Sequence, residues 1–405
     1  MPEKIVISFD DETPEKPEKS EEKIIIDFKP AEKKEKAIKI KDTPIDFQFR
    51  GNTYLTSADS NELTYPAGLE NGFGKIYSLN FRDTFLNSLL LNNKYVILAS
   101  SSGNVYFIDR YKGELSGKQT FEKEAFEKTG IVIGNRVYIN SVKTLYGFDD
   151  NLKENILYKV QEGYYAWTNL NRVKDKIVFL EFSPEKKSAY LVSYDRDEIS
   201  KSDEFFVNHF LSDSIITDGS EVYVFCDKKI MRFDIHGFNY AEYSLNFGVS
   251  PDTYFFMTDG KIYFNNLNNE LFYFDTVNED IKFTGIKCSY INSLGGVNDN
   301  IFIGLINGWQ LYKTSGMPVY TYDDIAENKI ESVNKHMLAV SKDNKIIFHN
   351  LDKFQEAEGF SVTSDNAGFE TDEVISARIG EDAVFVLSRN GILEAFNNDK
   401  LNIVL

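Results

Sequence analysis

The clearest repeat unit of this chain is 94-KYVILASSSGNVYFIDRYKGEL-115, in which two apolar strands are joined by a polar Ser-Gly-Asn turn. The second strand ends on Asp109 and leads into a third. Related copies recur, with first strands that begin at residues 94, 135, 176, 221, 261, 300, 336 and 383. The spacing of 36 to 47 residues, with strands rich in aromatic and β-branched side chains, predicts an all-β repeat protein.

A period near ~40 residues with four short strands per unit is typical of a β-propeller. Because one such sheet cannot bury both of its faces, neighbouring units must stack, and a closed ring protects their edges. Eight copies predict eight four-stranded blades, with seven as the alternative. The segment 75-KIYSLNF-81 precedes the first full copy, and we expect it to pair with the last blade and close the ring.

An acidic residue ends the second strand of five copies. These residues share one repeat position: Asp109, Asp149, Asp195, Asp234 and Asp275. An aspartate at a strand end can accept a hydrogen bond from the backbone two residues further on and so start the next turn. Five catalytic aspartates at one repeat position would be hard to justify, so we predict a structural role for them.

The run Val105–Leu115 resembles the repeat of the PQQ-type, or quinoprotein-like, propellers, V-Y-A-L-D-x-x-T-G-x-x-x-W. The closing Trp of that repeat is missing from every copy, since the chain contains only Trp167 and Trp309. The adjacent Cys pair that quinoprotein dehydrogenases use near their cofactor is also missing. The resemblance extends over about residues 89–405 and implies a propeller of the kind that assembles other proteins, without a cofactor.

The first 45 residues differ from the rest of the chain. They hold five of the nine Pro residues together with 12 acids and 10 lysines. Such a composition cannot bury enough apolar area to fold alone. We therefore predict a flexible charged arm over residues 1–45 and a β-propeller over residues 46–405.

Two apolar islands interrupt the arm, Lys4–Phe9 (KIVISF) and Lys23–Phe28 (KIIIDF). A repeated hexapeptide suggests multivalent docking of an extended peptide by strand addition to a sheet edge. The candidate partner-binding residues of the islands are Ile5, Ile7, Phe9, Ile24, Ile26 and Phe28. The alternative, which the sequence leaves open, is that the islands add outer strands to the protein's own blades.

Three further candidate partner-binding residues, Tyr164, Tyr165 and Trp167, lie in the segment that joins the second and third copies. Rings on a connecting segment suit contact with a partner, and they suit packing between blades equally well.

The net charge of −18 repels phosphate backbones, so we expect no nucleic-acid partner. The same charge favours solubility or docking to a basic partner.

Two Cys cannot form a disulfide framework. No stretch approaches the ~20 apolar residues of a membrane span, so no membrane insertion is expected. Since the N-terminus lacks a signal-peptide pattern, we expect a cytoplasmic protein.

Motifs that carry chemistry are scarce. The four His have no metal-type spacing, and the chain contains no phosphate-binding glycine loop and no G-x-S-x-G motif. We therefore predict no catalytic residue, no metal and no cofactor. The predicted function is a non-enzymatic protein-interaction scaffold, in which the propeller body docks a protein partner and the arm tethers it. Two alternatives stay open: a glycan-binding or carboxylate-dependent glycan-processing propeller, and an acidic inhibitor or immunity-type partner of a basic protein.

Overall fold

The structure, a computed structural model, describes residues 74–397 apart from several gaps. The gaps are residues 150, 196–197, 237, 250–252, 298, 334–336, 343–344, 351–368, 371–373 and 380–382. The described residues form 34 strands in eight antiparallel sheets, of which seven have four strands and one has six. The all-β propeller with eight blades is thereby confirmed. The described residues contain no helix long and apolar enough to cross a membrane.

Strand β1 (Gly74–Asn80) comes first and belongs to the last blade. Blade 1 contains β2 (Leu90–Leu91), β3 (Tyr95–Ala99), β4 (Asn104–Asp109) and β5 (Leu115–Thr120). Blade 2 contains β6 (Ile131–Ile133), β7 (Arg136–Asn140), β8 (Thr144–Phe148) and β9 (Glu154–Lys159). Blade 3 contains β10 (Tyr165–Ala166), β11 (Asn171–Val173), β12 (Lys176–Ser183), β13 (Ser188–Asp195), β14 (Glu198–Lys201) and β15 (Phe205–Phe206). Blade 4 contains β16 (Leu211–Thr217), β17 (Glu221–Cys226), β18 (Lys229–Asp234) and β19 (Tyr240–Ser244).

Blade 5 contains β20 (Phe255–Thr258), β21 (Lys261–Asn265), β22 (Glu270–Asp275) and β23 (Asp280–Lys287). Blade 6 contains β24 (Ile291–Val297), β25 (Asn300–Leu305), β26 (Gly308–Lys313) and β27 (Pro318–Asp323). Blade 7 contains β28 (Lys329–Val333), β29 (Met337–Lys342), β30 (Lys345–Asn350) and β31 (Phe369–Glu370). Blade 8 contains β32 (Val374–Ile379), β33 (Val384–Ser388) and β34 (Ile392–Asn397), and β1 is its fourth strand.

Blade 3 differs from the four strands predicted for every blade. Its first strand is interrupted, so that β10 and β11 pair with different parts of β12. Its fourth strand is interrupted in the same way, and β14 and β15 both pair with β13.

The ring closes through β1. This strand pairs antiparallel with β34 from Gly74↔Asn397 to Asn80↔Ile392, which confirms the prediction for residues 75–81. Its buried side chains pack in one cluster that joins the last blade to the first; the cluster includes Tyr77, Leu79, Leu98, Tyr106, Phe385 and Leu393. Residues 398–405 lie outside the described residues, as does the predicted arm.

Aromatic side chains fill the space between blades. Between blades 4 and 5, the Phe225 ring lies 4.1 Å from that of Phe255 and 5.0 Å from that of Phe264, measured between centroids. Each such pair contributes about 0.5–1.5 kcal/mol beyond the burial of its area. The high Phe and Tyr content of the sequence therefore stabilises the stacking that a lone blade lacks.

The ring has two faces, because antiparallel strands alternate in direction. The turn between the second and third strands of a blade and the connection to the next blade lie on one side, which we call the connecting-loop face. In blade 6 these are residues 306–307 and 324–328. The opposite face carries the other turns, such as residues 314–317.

The strand-end aspartates lie on the opposite face and serve its turns. The Oδ1 atom of Asp109 accepts hydrogen bonds from the backbone N–H of Tyr111 at 3.0 Å and of Lys112 at 2.9 Å. Asp275 repeats this with Val277 at 3.0 Å and Asn278 at 2.9 Å. Equivalent bonds at Asp149 and Asp234 confirm the predicted structural role at four of the five positions.

Candidate functional site

The six arm residues predicted to bind a partner lie outside the described residues, and this prediction stays untested.

The aromatic cluster of Tyr164, Tyr165 and Trp167 lies within the described residues. Tyr164 is buried, and its hydroxyl bonds to Ser188 at 3.0 Å and to Glu204. Burial raises the pKa of Tyr164, and hydrogen bonds from Ser188 and then Tyr164 lower that of Glu204. Tyr164 thus has no free surface and serves packing within blade 3.

Trp167 is half-buried in the interruption between β10 and β11. Its Nε1 donates to the carbonyl oxygen of Ser212 at 3.1 Å, and its ring packs edge-on against Phe182. Tyr165 is 41% exposed, and the ammonium of Lys143 lies 3.8 Å from its ring centroid. Of the three rings, Tyr165 therefore has the most surface for a partner, and contact through it stays a prediction.

A group of exposed apolar residues on the connecting-loop face was not singled out by the sequence analysis. We call it the apolar row, and it consists of Leu267, Tyr290, Ile306 and Ile325 in blade 5, blade 6 and the connection to blade 7. Their exposed fractions are 64%, 49%, 50% and 100% in that order. Single exposed apolar residues are ordinary, whereas contiguous ones mark interaction sites.

Hydrogen bonds tie the turn that carries Leu267 to the connection that carries Tyr290. The side chain of Asn269, in the turn that carries Leu267, donates to the carbonyl oxygen of Ser289 at 3.3 Å. Its Oδ1 also accepts from the backbone N–H of Ile291 at 3.1 Å. The turn is thus fixed to the connection that carries Tyr290, while the Leu267 side chain itself lies against Gly248 in the preceding connection.

The register of blade 6 continues the row. Ile291 of β24 pairs with Leu305 of β25, so Tyr290 and Ile306 follow this pair at the same end of the sheet. Beyond them, the backbone N–H of Asp324 donates to the carbonyl oxygen of Asn307 at 3.0 Å. This bond holds the Ile325 loop against the turn that carries Ile306.

The loop of residues 324–328 is held in place at both ends. The carboxylate of Asp324 accepts from the backbone N–H of Ile325 at 2.7 Å and contacts the ammonium of Lys342 at 2.6 Å. Burial alone would raise the pKa of Asp324, but hydrogen bonds from Lys342 and Asn328 lower it. The backbone N–H of Asn328 donates to Leu305 at 3.0 Å. A fully exposed isoleucine is therefore presented on an ordered loop.

Charged side chains flank the row at both ends. Beside Leu267, Lys287 and Glu270 form an ion pair at 3.1 Å. Beside Ile325, Asp323 and Glu327 are exposed, and Glu327 lies 4.0 Å from Lys329. The Ile325 end of the row thus carries three acids, Asp323, Asp324 and Glu327, of which Asp324 and Glu327 lie beside Lys342 and Lys329.

The sequence carried a signal for the row. Ile306 immediately precedes Asn-Gly, the dipeptide that favours a tight hairpin, and Ile325 lies in the polar run 323-DDIAEN-328. Turn positions select Gly, Asn, Asp, Pro and Ser for backbone reasons, and an isoleucine meets none of them. Apolar residues at several neighbouring turns could therefore have been flagged.

Several titratable groups among the described residues have pKa values shifted by burial or by local hydrogen bonds. Burial raises the pKa of Cys226 to about 12 and that of Cys288 to about 11, which keeps both as poorly nucleophilic thiols. Six described carboxyl groups have shifted pKa values, and all six are lowered: Asp83, Glu204, Asp227, Glu270, Asp275 and Asp324. Within the described residues, no group of three His, Cys, Asp or Glu is placed to hold a metal.

Comparison with known proteins identifies the fold. No protein-family model and no curated protein matches the chain, so the resemblance to the PQQ-type repeat stays a prediction. The structure is similar to that of BamB from Moraxella catarrhalis, with a TM-score of 0.57 and 10% identity over 80% of this chain and 100% of that one. It is also similar to the computationally designed Ika8 protein (TM-score 0.60, 11% identity, 79% and 98% coverage). For Sqt1 from Saccharomyces cerevisiae the TM-score is 0.56, with 12% identity and coverage of 81% and 99%. At these identities the similarity shows that the chain is a β-propeller.

Proposed function

We propose that this protein is a non-enzymatic protein-interaction scaffold whose propeller body docks a protein partner through the apolar row. The observation that carries the proposal is the complete exposure of Ile325 on a loop fixed by Asp324, Lys342 and Asn328. Burying an exposed isoleucine against a partner contributes about 1.5–3 kcal/mol. Because hydrogen bonds already fix the loop in the free protein, little of this binding free energy is offset by loss of loop entropy.

The charge of the chain suggests the chemistry of the partner. Of the net charge of −18, the first 45 residues hold −2 and the remainder −16. A body this acidic attracts a basic protein surface and repels nucleic acid. The partner therefore combines apolar anchors with Lys or Arg. Both described Cys are free, in keeping with the cytoplasmic location that we propose.

The arm adds a second contact in this proposal. Its two islands, Lys4–Phe9 and Lys23–Phe28, tether the partner as extended strands while the row holds it. Linked sites raise avidity through effective concentration, so each contact can be weak by itself.

The proposal is tested by affinity capture with full-length bait. Wild type is compared with Ile306→Ser/Ile325→Ser and with Val277→Ser, a control on the opposite face where Val277 is 81% exposed. We expect a protein captured by wild type and by the control to be lost with the row variant. Capture of the same proteins by all three baits would reject the row as the docking surface.

A further inference from the structure

We infer that the outer edge of blade 4, formed by β19, is a second interaction surface, which takes an extended segment of a partner protein as a fifth strand. This inference goes beyond the proposed function and does not depend on the apolar row, which lies in blades 5 and 6 and the connection to blade 7. The edge recognises its partner mainly through backbone hydrogen bonds.

The other outer strands are protected against strand addition. Proteins commonly blunt an exposed sheet edge with bulges, proline or very short strands. Among the described strands, extra residues form bulges in β1, β5, β9, β23 and β27, and β27 also begins with Pro318. The fourth strand of blade 3 is interrupted, and β31 comprises two residues. Seven of the eight outer edges thus carry such a feature.

Strand β19 is the exception. Its five residues pair one-to-one with β18, from Phe233↔Tyr240 to Lys229↔Ser244, without a shift of register. Its sequence, YAEYS, contains neither proline nor lysine. It is the last strand of its sheet, so its side away from β18 is an edge. A regular edge without a bulge is the template that strand addition requires.

The register shows which backbone groups of β19 point outward. The N–H of Leu245, just after the strand, donates to the carbonyl oxygen of Lys228 at 2.7 Å. Because bonded pairs alternate along an antiparallel ladder, Tyr243 and Ala241 also bond to β18. The N–H and C=O groups that point away from β18 therefore belong to Tyr240, Glu242 and Ser244. Within the described residues, no backbone hydrogen bond reaches these groups.

The side chains of β19 specify the partner strand. Tyr240 is 41% exposed, and its ring centroid lies 5.4 Å from that of Phe233. Glu242 lies on the same face of the sheet and pairs with Lys229 at 2.7 Å. Aromatic and β-branched residues pair well across strands, and like charges directly opposite each other are destabilising. The partner segment therefore has a β-branched or aromatic residue beside Tyr240 and an uncharged or basic one beside Glu242.

A second copy of the chain is the competing occupant. Around a two-fold axis, only the register centred on Glu242 pairs all five residues of β19, and it sets the two Glu242 side chains opposite each other. The registers centred on Ala241 or Tyr243 overlap over three residues only. Each copy also carries a net charge of −18, so the two bodies repel each other. These restrictions favour a segment of a different protein.

The first test measures binding of a fluorescein-labelled synthetic peptide, TVKVTVT, to the full-length protein by fluorescence anisotropy. Glu242→Pro removes one outward N–H and leaves the bonds to β18 in place, a change that edge strands tolerate. Glu242→Ala is the matched control, because it also removes the partner of Lys229 but keeps the N–H. We expect the proline variant to bind the peptide at least about tenfold more weakly than the alanine variant.

Two controls accompany this comparison. The same peptide with every backbone nitrogen methylated has the same charge but no N–H donors, and it should lose its affinity for wild type. Thermal melting followed by circular dichroism checks that the variants fold. If Glu242→Pro melts at a lower temperature than Glu242→Ala, the pair Ser244→Pro and Ser244→Ala replaces it, since the N–H of Ser244 also points outward.

Hydrogen exchange of the full-length wild type tests the edge without a substitution. In the free protein, the amides of Tyr240, Glu242 and Ser244 should exchange rapidly, and those of Ala241 and Tyr243 should be protected. Saturating peptide should slow exchange at the first three amides and leave the other two unchanged.

Four results would overturn the inference. They are equal binding of the peptide by the proline and alanine variants, unchanged affinity of the methylated peptide, slow exchange at Glu242 in the free protein, and sedimentation of wild type as a dimer that Glu242→Pro dissociates. The capture experiment with Ile306→Ser/Ile325→Ser reads the apolar row separately. Because the two surfaces share no residue, the failure of either one leaves the other in place.

Discussion

The two faces of this propeller are built from the same kind of element, short turns between antiparallel strands, yet the aspartates at one set of turns and the isoleucines at the other have different roles. On the opposite face, the carboxylates of Asp109 and Asp275 accept hydrogen bonds from backbone N–H groups of their own turns. On the connecting-loop face, Ile306 and Ile325 make no such contribution, and their side chains point into solvent. The comparison teaches that a turn residue becomes a candidate for function when the turn itself does not need it.

The largest effect is expected when two isoleucines of the row are replaced, and it should fall on partner binding and leave the stability of the fold unchanged. The double variant Ile306→Ser/Ile325→Ser removes two central anchors, and we expect affinity for the captured partner to fall about 100-fold or more. Because both side chains are exposed, the free energy of unfolding should change by less than about 0.5 kcal/mol. Titration calorimetry and urea denaturation measure the two quantities. If the free energy of unfolding falls by as much as the free energy of partner binding, Ile306 and Ile325 serve the fold, and the difference between the two faces is rejected.

The reverse result is expected at Asp275. The substitution Asp275→Ala removes the acceptor for two backbone N–H groups and for the Nδ2 of Asn278, which lies 2.8 Å from Oδ2. We expect the free energy of unfolding to fall by about 1–2 kcal/mol while partner affinity stays unchanged. Weakened binding with unchanged stability would show that this acid serves a partner instead of its turn.

A smaller effect should appear on acidification. Hydrogen bonds from Asn278 hold the pKa of Asp275 below its ordinary value of 3.8. A carboxyl group whose pKa is lowered by folding stabilises the fold above that ordinary value, and this contribution is lost as the pH falls through the folded value. The stability difference between wild type and Asp275→Asn should therefore shrink from about pH 6 to about pH 3. A difference that grows on acidification would contradict the sign of the shift.

The smallest effect is expected at Tyr165, the accessible ring of the aromatic cluster. The substitution Tyr165→Ala removes the ring that the Lys143 ammonium contacts, an exposed interaction worth about 0.5–1 kcal/mol. We expect partner affinity to change by less than about fivefold, because Tyr165 lies in blade 3, away from the row. A loss as large as that of the row variant would move the docking surface towards blades 2 and 3.

The sequence predicted most of the fold because the repeat is local. Each copy carries its own strands and turn residues, so eight blades, closure by residues 75–81 and the role of the strand-end acids could be inferred from spacing and turn chemistry. The interruptions of blade 3 were not predicted. They are accompanied by contacts such as that of Tyr164 with Glu204, which are 40 residues apart and which a local repeat does not reveal.

The apolar row escaped the sequence analysis for a different reason. Each of its members looks like an isolated apolar residue in a loop, and only the register Ile291↔Leu305 shows that Tyr290 and Ile306 end up as neighbours. The bond from Asp324 to Asn307 adds Ile325 in the same way. A surface formed by several blades is a property of their arrangement, which a single copy of the repeat does not encode.

Closure by β1 has a mechanical consequence. The strand that completes blade 8 begins at Gly74, so among the described residues tension applied to the chain from its N-terminal side reaches the Gly74↔Asn397 pair first. Peeling would proceed from that pair towards Asn80 and unlock the seam between the last and first blades. A force applied from the N-terminal side is therefore resisted by the β1–β34 pairing that closes the ring.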